Sequence, residues 1–444
     1  MDKQTLQPGS LYPGETWFQY ASPEEAGYSS SQLLQAHDYF NQIDSASLVV
    51  VHDGAILAAW GDVTRRFTNH SIRKSYLSAL YGIHVNHGNI NLQQTLAELN
   101  LDDEPALPTA EKEARVFDLL TARSGVYHPA AAETPHMIKH RPERGSHKPG
   151  THWYYNNWDF NALGTILEQK TGASVFEEFK QKLADPLQME EFRLRDTFYY
   201  FQKDKSIHPA YHLRLSAKDM ARFGLLYLRQ GRWKGQPIIP EQWIAESTAS
   251  YSEVSEKNGY GYLWWTIAPR HPNRRLYKLG AYLAEGVGTQ YIIVLPGAKL
   301  VVVHLANTYL SLSFNATLFW RLLDMILDAR IASPVSKPNL IPFQSPPKRF
   351  EIIKLETAIL DQYVGDYEFE GGVRCSIQRQ DNQLFWTSTA NGFSVSLLPI
   401  SETKFFVEDI EEVATFALDN DAYQLIAENT QGKASHARLV QSKT

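Results

Sequence analysis

The alternation of apolar and polar residues in the first three quarters of the chain predicts strands at both ends and helices between them. Two strand-like runs, at 47–52 and 55–60, are separated by an Asp-Gly dipeptide, which is typical of short β-hairpins. Two more runs follow at 289–296 and 299–306. The simplest arrangement is one mostly antiparallel sheet that is covered by helices.

Periodic apolar positions predict that most of 92–235 is helical and that a further helix occupies about 314–331. Ser216 is expected to cap the last helix of the first region. The clearest helical segments there are 113–123, 159–171, 174–185 and 216–230.

The pattern changes after 332–348, a stretch with five prolines that predicts a stiff linker. Residues 358–441 form short alternating runs broken by glycine, asparagine and aspartate, and about eight strands at this spacing indicate a small antiparallel barrel. The predicted fold class is therefore α+β, with a sheet-and-helix domain at 1–331 and a barrel domain at 349–444.

A Ser-x-x-Lys motif begins the helix that is predicted at 71–87. Ser71 and Lys74 are one turn apart, so their side chains share a helix face. If that face lines a pocket, burial lowers the lysine pKa, and the neutral amine can accept the serine proton. The same motif at 345–348 contains prolines, and at 401–404 it precedes a strand. The alternative is a buried helix in which Ser71 is only an N-cap.

An aromatic segment at 153–164 carries two adjacent tyrosines and two adjacent asparagines. A tyrosine near a Ser–Lys pair can transfer protons once neighbouring positive charge lowers its pKa, and an asparagine two residues later can bind a substrate carbonyl. The tandem repeat leaves two registers open, Tyr154 with Asn156 or Tyr155 with Asn157. The alternative is an aromatic loop that caps the following helix.

A third candidate is the glycine-rich segment 284–290, which runs into a strand. Glycines at a strand edge allow close approach of a ligand to the backbone. A backbone N–H of this segment can join the N–H of Ser71 in an oxyanion hole. The alternative is a glycine bulge with no binding role.

Metal binding is not favoured by the sequence. Five of the 15 histidines fall within 128–152, but this stretch has no helical period and is interpreted as a polar loop over a pocket. The single cysteine, Cys375, excludes an intramolecular disulfide and a multi-cysteine zinc site. No metal and no cofactor are therefore predicted.

Composition narrows the class of partner. Net charge is −6 without a basic tract, so nucleic acid is not expected as a partner. No apolar run reaches membrane-spanning length, and the N-terminus lacks the apolar region of a secretory signal. A cytoplasmic protein is expected from the chain as given, or a periplasmic one if a signal has been removed. The oligomeric state is not indicated.

Taken together, these motifs resemble the serine β-lactamase-like superfamily, which includes penicillin-binding proteins, class C β-lactamases, family VIII esterases and 6-aminohexanoate-dimer hydrolases. The resemblance covers roughly 20–330. It rests on Ser-x-x-Lys-Ser at 71–75, Leu-Thr-Ala-Arg-Ser-Gly at 120–125, Tyr-Asn-Asn followed by Leu-Gly at 163–164, and Gly-Val-Gly-Thr-Gln at 286–290. Residues 350–444 resemble the lipocalin-like barrel appended to some members.

The resemblance implies roles for individual residues. Ser71 corresponds to the nucleophile and Lys74 to the activating amine. The distance to Leu-Gly at 163–164 favours Tyr155 as the family tyrosine and Asn157 as its partner. The oxyanion would be held by the N–H groups of Ser71 and Val287, with Gly286 beside them.

The third motif departs from the family pattern. Penicillin-binding relatives carry a cation, a small residue and glycine where this chain has Ala284, Glu285 and Gly286. Lys278 begins a similar triplet six residues earlier, and whether it replaces the missing cation stays open. Glu285 would repel a substrate carboxylate.

This departure favours a small-molecule ester or amide, cleaved through an acyl-enzyme at Ser71. The alternatives are a D-Ala-D-Ala carboxypeptidase or β-lactamase, a penicillin-binding-like protein without turnover, and a metal-dependent hydrolase built on the histidines.

Overall fold

The structure is a computed structural model that describes residues 11–308, 315–345, 351–370, 372–389, 392–407, 412–419, 422–428 and 434–442. Its strands form a ten-stranded sheet, a closed eight-stranded antiparallel barrel and two small sheets. The predicted α+β class, with a C-terminal antiparallel barrel, is confirmed.

The strands before the barrel are β1 (Phe18–Tyr20), β2 (Ser47–His52), β3 (Ala55–Gly61), β4 (Phe67–Thr68), β5 (Thr197–Tyr200), β6 (Ala210–Leu215), β7 (Arg232–Trp233), β8 (Gln236–Pro237), β9 (Ser252–Glu253), β10 (Asn258–Tyr260), β11 (Trp265–Ile267), β12 (Tyr282–Gly286), β13 (Gln290–Leu295), β14 (Leu300–Leu305) and β15 (Leu340–Pro342). The barrel consists of β16 (Gly365–Phe369), β17 (Arg374–Gln380), β18 (Gln383–Ser388), β19 (Ser394–Pro399), β20 (Lys404–Val407), β21 (Glu412–Asp419), β22 (Ala422–Glu428) and β23 (Ala434–Ser442).

The α-helices are α1 (Ser30–Phe40), α2 (Arg73–Asn86), α3 (Val116–Leu120), α4 (Pro135–His140), α5 (Asn157–Thr171), α6 (Val175–Phe179), α7 (Ala217–Leu228), α8 (Glu241–Ser247), α9 (Arg274–Lys278), α10 (Ala316–Asp328) and α11 (Thr357–Asp361). A π-helical segment, Lys180–Ala184, continues α6. Ser216 caps α7, since its hydroxyl accepts the Asp219 backbone N–H at 3.1 Å, as the sequence predicted.

The large sheet has the order β15-β1-β3-β2-β14-β13-β12-β11-β10-β9 and separates two apolar cores. Successive residues of β14 alternate between them: Val301 and Val303 pack in the core that contains α2 and α5, and Leu300 and Val302 in the core that contains α1 and α10. The sheet is antiparallel except for the β1–β3 pair.

Some local predictions differ from the structure. The helix predicted at 113–123 is reduced to α3, and the loop predicted at 128–152 contains α4. In α4 the Thr134 hydroxyl accepts the Met137 N–H at 3.3 Å, and Pro135 stands in the first turn, where its missing N–H is tolerated. A helix this short leaves no apolar period in the sequence.

Part of the proline-rich segment belongs to the large sheet. Strand β15, within the predicted linker, pairs antiparallel with β1 at the sheet edge. Proline is tolerated on an edge strand because no neighbour requires its N–H. The helix predicted to begin at 314 starts at Ala316, and residue 314 lies outside the described residues.

Candidate active site

The candidate nucleophile follows a short strand that leads directly into a helix. Strand β4 pairs with β6, a short 3₁₀ turn (His70–Ile72) follows, and α2 begins at Arg73. His70 has a φ of 45°, in the left-handed region that a non-glycine residue adopts at an energetic cost. Its ring lies 2.7 Å from the Thr308 hydroxyl, a contact that stabilises this backbone position next to Ser71.

The side chains of Ser71 and Tyr155 meet at the amine of Lys74. The Lys74 Nζ lies 2.8 Å from Ser71 Oγ and 2.8 Å from the Tyr155 hydroxyl. Tyr154 is held elsewhere, because its hydroxyl donates to the Met137 carbonyl at 2.8 Å. Of the two tyrosines left open by the sequence, Tyr155 is therefore the one whose hydroxyl contacts the Lys74 amine.

The amine of Lys74 is almost completely excluded from solvent. The residue is 1% exposed, and its Nζ lies 4.4 Å from the centre of the Tyr155 ring and 4.5 Å from that of Phe160. Burial lowers the pKa of Lys74 well below its usual value, and the adjacent Arg73 lowers it further. A larger fraction of the amine is thus neutral and able to accept a proton.

The sequence predicted a lowered pKa for the tyrosine, but the net shift is upward, although the positive charge of Arg73 acts in the predicted direction. Burial raises the pKa of Tyr155 well above its usual value, and the nearby Glu285 raises it too. Hydrogen bonding to Ser71, the second-largest effect, and the charge of Arg73 lower the pKa, but by less than burial raises it. The Tyr155 hydroxyl therefore keeps its proton in the resting site and can donate it.

Aromatic side chains surround Tyr155. Its ring stacks on Trp265 with centroids 5.4 Å apart and an interplanar angle of 26°. Trp153 packs edge-on against Trp265 and Tyr260. These rings form an apolar wall beside the hydroxyl.

The two asparagines of the aromatic segment have different surroundings. Asn156 caps α5: its Oδ1 accepts the Trp158 N–H at 3.1 Å. Asn157 donates from Nδ2 to the Ala132 carbonyl at 2.6 Å, while its buried Oδ1 has no hydrogen-bond partner among the described residues. An unpartnered buried amide oxygen is costly unless a ligand supplies a donor. This difference favours Asn157 over Asn156 as a group available to a ligand.

The hairpin between β12 and β13 lies against the segment that carries Ser71. A Cβ added at Gly286 would be only 2.9 Å from the Asn69 carbonyl oxygen and 3.4 Å from His70 Cβ, so glycine is needed for this approach. Val287 follows as the first residue of the turn, half-buried. The sequence predicted strand β13 here but not β12, whose five residues lack a clear alternation.

No cation was found where penicillin-binding relatives carry one. Ala284 is buried in the same core as α2, and Glu285 is half-buried, with Oε1 3.4 Å from the Tyr291 hydroxyl. Burial raises the pKa of Glu285, so this carboxylate is less readily charged than the sequence analysis assumed. Lys278 is exposed on α9, which packs through Leu276 in the opposite core, and so lies across the sheet from α2.

The histidine-rich segment forms local contacts. His140 Nδ1 lies 2.8 Å from the His136 carbonyl, and His128 Nδ1 lies 2.9 Å from that of Pro129. Within the described residues, no group of three or more histidine, cysteine, aspartate or glutamate side chains is arranged to hold a metal ion.

Over the same residues, no helix is long and apolar enough to cross a membrane.

Arg73 was missed by the sequence analysis, although it stands inside the Ser-x-x-Lys motif. Its Nη2 donates to Asn161 Oδ1 at 3.1 Å, and its guanidinium carbon lies 4.3 Å from the centre of the Tyr211 ring. The apolar and aromatic residues that follow on α2 could have indicated this role. They predict a helix that is buried on every side, and such a helix also buries the cation next to Lys74.

The amino-acid sequence is similar to that of a known protein family and of individual proteins. Residues 31–324, about two thirds of the chain, match the family described as Beta-lactamase. Penicillin-binding protein 4* of Bacillus subtilis is 22% identical over an alignment 313 residues long, which covers 64% of this chain and 66% of that protein. The chain thus spans just under two thirds of this relative's length. An uncharacterised protein of Alkalihalophilus pseudofirmus is 23% identical over 61% of this chain and 84% of its own length.

Solved structures show the same fold. A Bacillus anthracis protein provisionally assigned as a 6-aminohexanoate-dimer hydrolase superposes with a TM-score of 0.53 at 18% identity, covering 73% of this chain and 89% of its own. A hydrolase with promiscuous acyltransferase activity has a TM-score of 0.50 at 14% identity, covering 70% of this chain and 99% of its own.

Proposed function

The chain belongs to the beta-lactamase family, and we propose that it is a serine hydrolase that cleaves a small ester or amide through an acyl-enzyme on Ser71. One observation carries the proposal: a buried lysine amine is hydrogen-bonded to both the Ser71 hydroxyl and the Tyr155 hydroxyl. If Ser71 were only an N-cap, the buried amine of Lys74 beside its hydroxyl would have no role.

In the proposed acylation, neutral Lys74 accepts the Ser71 proton while Oγ attacks the substrate carbonyl carbon. The carbonyl oxygen becomes an oxyanion, which the backbone N–H groups of Ser71 and Val287 stabilise. When the bond to the leaving group breaks, Tyr155 donates its proton to that group and regains one from Lys74. Water then attacks the acyl-enzyme, with the same groups taking its proton and returning one to Ser71 Oγ.

The preference for neutral substrates rests on the third motif. Ala284 replaces the cation that would hold a substrate carboxylate, and the exposed Lys278 lies across the sheet. A carboxylate that enters this site would lose its hydration without gaining an ion pair. The aromatic wall of Trp153, Tyr260 and Trp265 beside Tyr155 suits an apolar acyl group.

Labelling with a fluorophosphonate, followed by peptide mapping, tests the nucleophile. We expect the adduct on Ser71 and none on Ser401, the serine of another Ser-x-x-Lys motif. Ser71→Ala should reduce ester turnover by about 10³-fold or more, the scale seen when a catalytic nucleophile is removed. Ser401→Ala is the matched control and should retain the activity. An adduct elsewhere, with Ser71 unmodified, would refute the proposal.

The substrate class is tested by comparing p-nitrophenyl esters of short acids with nitrocefin, an anionic β-lactam. Ester turnover should dominate, and Ala284→Lys should raise nitrocefin turnover relative to ester turnover. Nitrocefin kcat/KM near about 10⁶ M⁻¹s⁻¹ in the unmodified protein, within the range of capable enzymes, would instead assign a β-lactamase.

A further inference from the structure

The interior of the C-terminal barrel is filled unevenly. Its first end is packed with rings: Tyr363 stacks on Phe416 with centroids 4.3 Å apart and lies 5.7 Å from Phe405. Leu360 of α11 is buried in the same cluster. This end of the barrel is therefore closed by side chains.

The second end contains a cavity of about 520 Å³. Alternation along β21 directs Glu412, Ala414 and Phe416 to the interior, and the small side chain of Ala414 leaves space beyond the Phe416 ring. The wall of the cavity is formed mainly by apolar side chains, among them Trp386, Val395, Leu397, Val407, Ala414 and Leu425. Protein interiors contain few voids larger than one water, and this volume lies in the range of about 300–1,000 Å³ found for ligand sites.

The mouth of the cavity carries acidic groups. Glu370 and Glu412 contribute to the lining together with Ser435 and His436, and the described lining includes neither lysine nor arginine. Val373, which also lines the cavity, is 59% exposed, so solvent reaches this part of the lining.

Glu412 is a half-buried carboxylate with no side-chain partner among the described residues. Among the described residues, none forms an ion pair or side-chain hydrogen bond with it, and burial alone raises its pKa. A carboxylate that loses hydration in this way is stabilised by a cation in contact with it. A ligand with a carboxylate would meet repulsion from both Glu370 and Glu412.

We propose that the barrel binds a small apolar molecule that carries a protonated amine, with the apolar part in the cavity and the amine against Glu412. This site is separate from the Ser71 site, since the groups that line it all belong to the barrel. The barrel thus provides a second binding site for a ligand class that the hydrolase site does not select.

Decylamine, decanol and decanoate provide a direct test, because they share one chain and differ in the head group. Binding is measured by titration calorimetry on the full chain, at neutral pH and below micelle-forming concentrations. We expect decylamine to bind roughly tenfold more tightly than decanol, the effect of one charge-assisted contact, and decanoate to bind most weakly. Equal affinities, or the reverse order, would overturn the proposal.

Variants and crosslinking locate the binding. Glu412→Gln should remove the preference for decylamine over decanol, and Glu368→Gln, a barrel carboxylate already paired with Arg374, should leave it intact. Ala414→Phe should weaken both ligands by filling the cavity. An alkyl amine with a diazirine should label peptides from β18 to β22, in competition with decylamine. Labelling confined to the hydrolase domain, or an unchanged preference in Glu412→Gln, would overturn the proposal even if Ala414→Phe does not fold.

Discussion

At the scale of single residues, the electrostatic feature that matters most is a pair of buried cations behind Ser71. Lys74 and Arg73 are 1% and 2% exposed, and burial lowers the pKa of both groups. No carboxylate is among the groups that act on either pKa, so none opposes this lowering. Arginine has a higher intrinsic pKa than lysine. Arg73 therefore remains charged, and Lys74 loses its proton first. The amine of Lys74 therefore loses its proton at a lower pH than a free lysine does.

Lys74→Arg should be nearly inactive, because a guanidinium cannot lose its proton at working pH. In the unmodified protein, kcat/KM for an ester should rise with pH through the lowered pKa of Lys74 and then level off, since only the neutral amine accepts the serine proton. The measurement is a pH–rate profile of both proteins. A Lys74→Arg protein with the unmodified rate would exclude Lys74 as the base.

Arg73→Met should raise the pKa of Lys74 by removing a like charge, and the acid limb of kcat/KM should move to higher pH. Arg229→Met removes a cation that pairs with Asp53 away from the site, and serves as the matched control. The shift should appear in the first variant alone. An acid limb at the same pH in a folded Arg73→Met protein would show that burial acts on Lys74 without help from Arg73.

At the scale of secondary structure, the sequence predicted those parts of the site that depend on local spacing. Ser71 and Lys74 share a helix face as soon as a helix begins near residue 71. Ser216 likewise caps the helix that directly follows it, so both features depend only on nearby residues. Selection of Tyr155 over Tyr154 depends on which ring faces Lys74, a tertiary contact that spans 81 residues of sequence. The raised pKa of Tyr155 also depends on burial by distant strands, which is why the sequence predicted the wrong direction.

Gly286→Ala tests the contact between the β12–β13 hairpin and the segment before α2. The added Cβ would be 2.9 Å from the Asn69 carbonyl oxygen, a backbone atom, so the hairpin or the Ser71 turn must move. Displacing one oxyanion donor costs about 10²–10³-fold in kcat, and we expect a loss of that size with little change in KM. Gly14→Ala is the matched control, because nothing lies within 4 Å of its added Cβ. Equal activity of both variants would remove Val287 from the proposed oxyanion site.

At the scale of the whole molecule, the barrel is attached to the hydrolase domain beside the strands that support α2. Phe393, before β19, packs edge-on against Phe198 of β5 with centroids 5.5 Å apart, and Arg214 of β6 donates to the Ser394 carbonyl. The change from helical to alternating pattern was sufficient to predict the barrel itself. These contacts, and the pairing of β15 with β1, join segments far apart in sequence and have no local signal.

The domain that precedes the barrel should keep its acylation chemistry without the barrel, and strand β15 should add to the stability of that domain. A chain that ends at residue 345 keeps β15 and Phe343, whose N–H donates to the Trp17 carbonyl at 2.8 Å, whereas a chain that ends at residue 331 loses both. We expect the first chain to be labelled by a fluorophosphonate at a rate within about threefold of the full chain, because Ser71, Lys74 and Tyr155 all precede residue 331. The shorter chain should melt roughly 5 °C lower than the longer one, the effect of about 2 kcal/mol lost with one half-buried aromatic side chain and an edge strand. Labelling rates and circular dichroism melting curves of the three chains are the measurement. A chain ending at residue 345 that is folded yet unlabelled would mean that the barrel completes the Ser71 site, and equal melting temperatures of the two shorter chains would mean that β15 contributes nothing to the hydrolase domain.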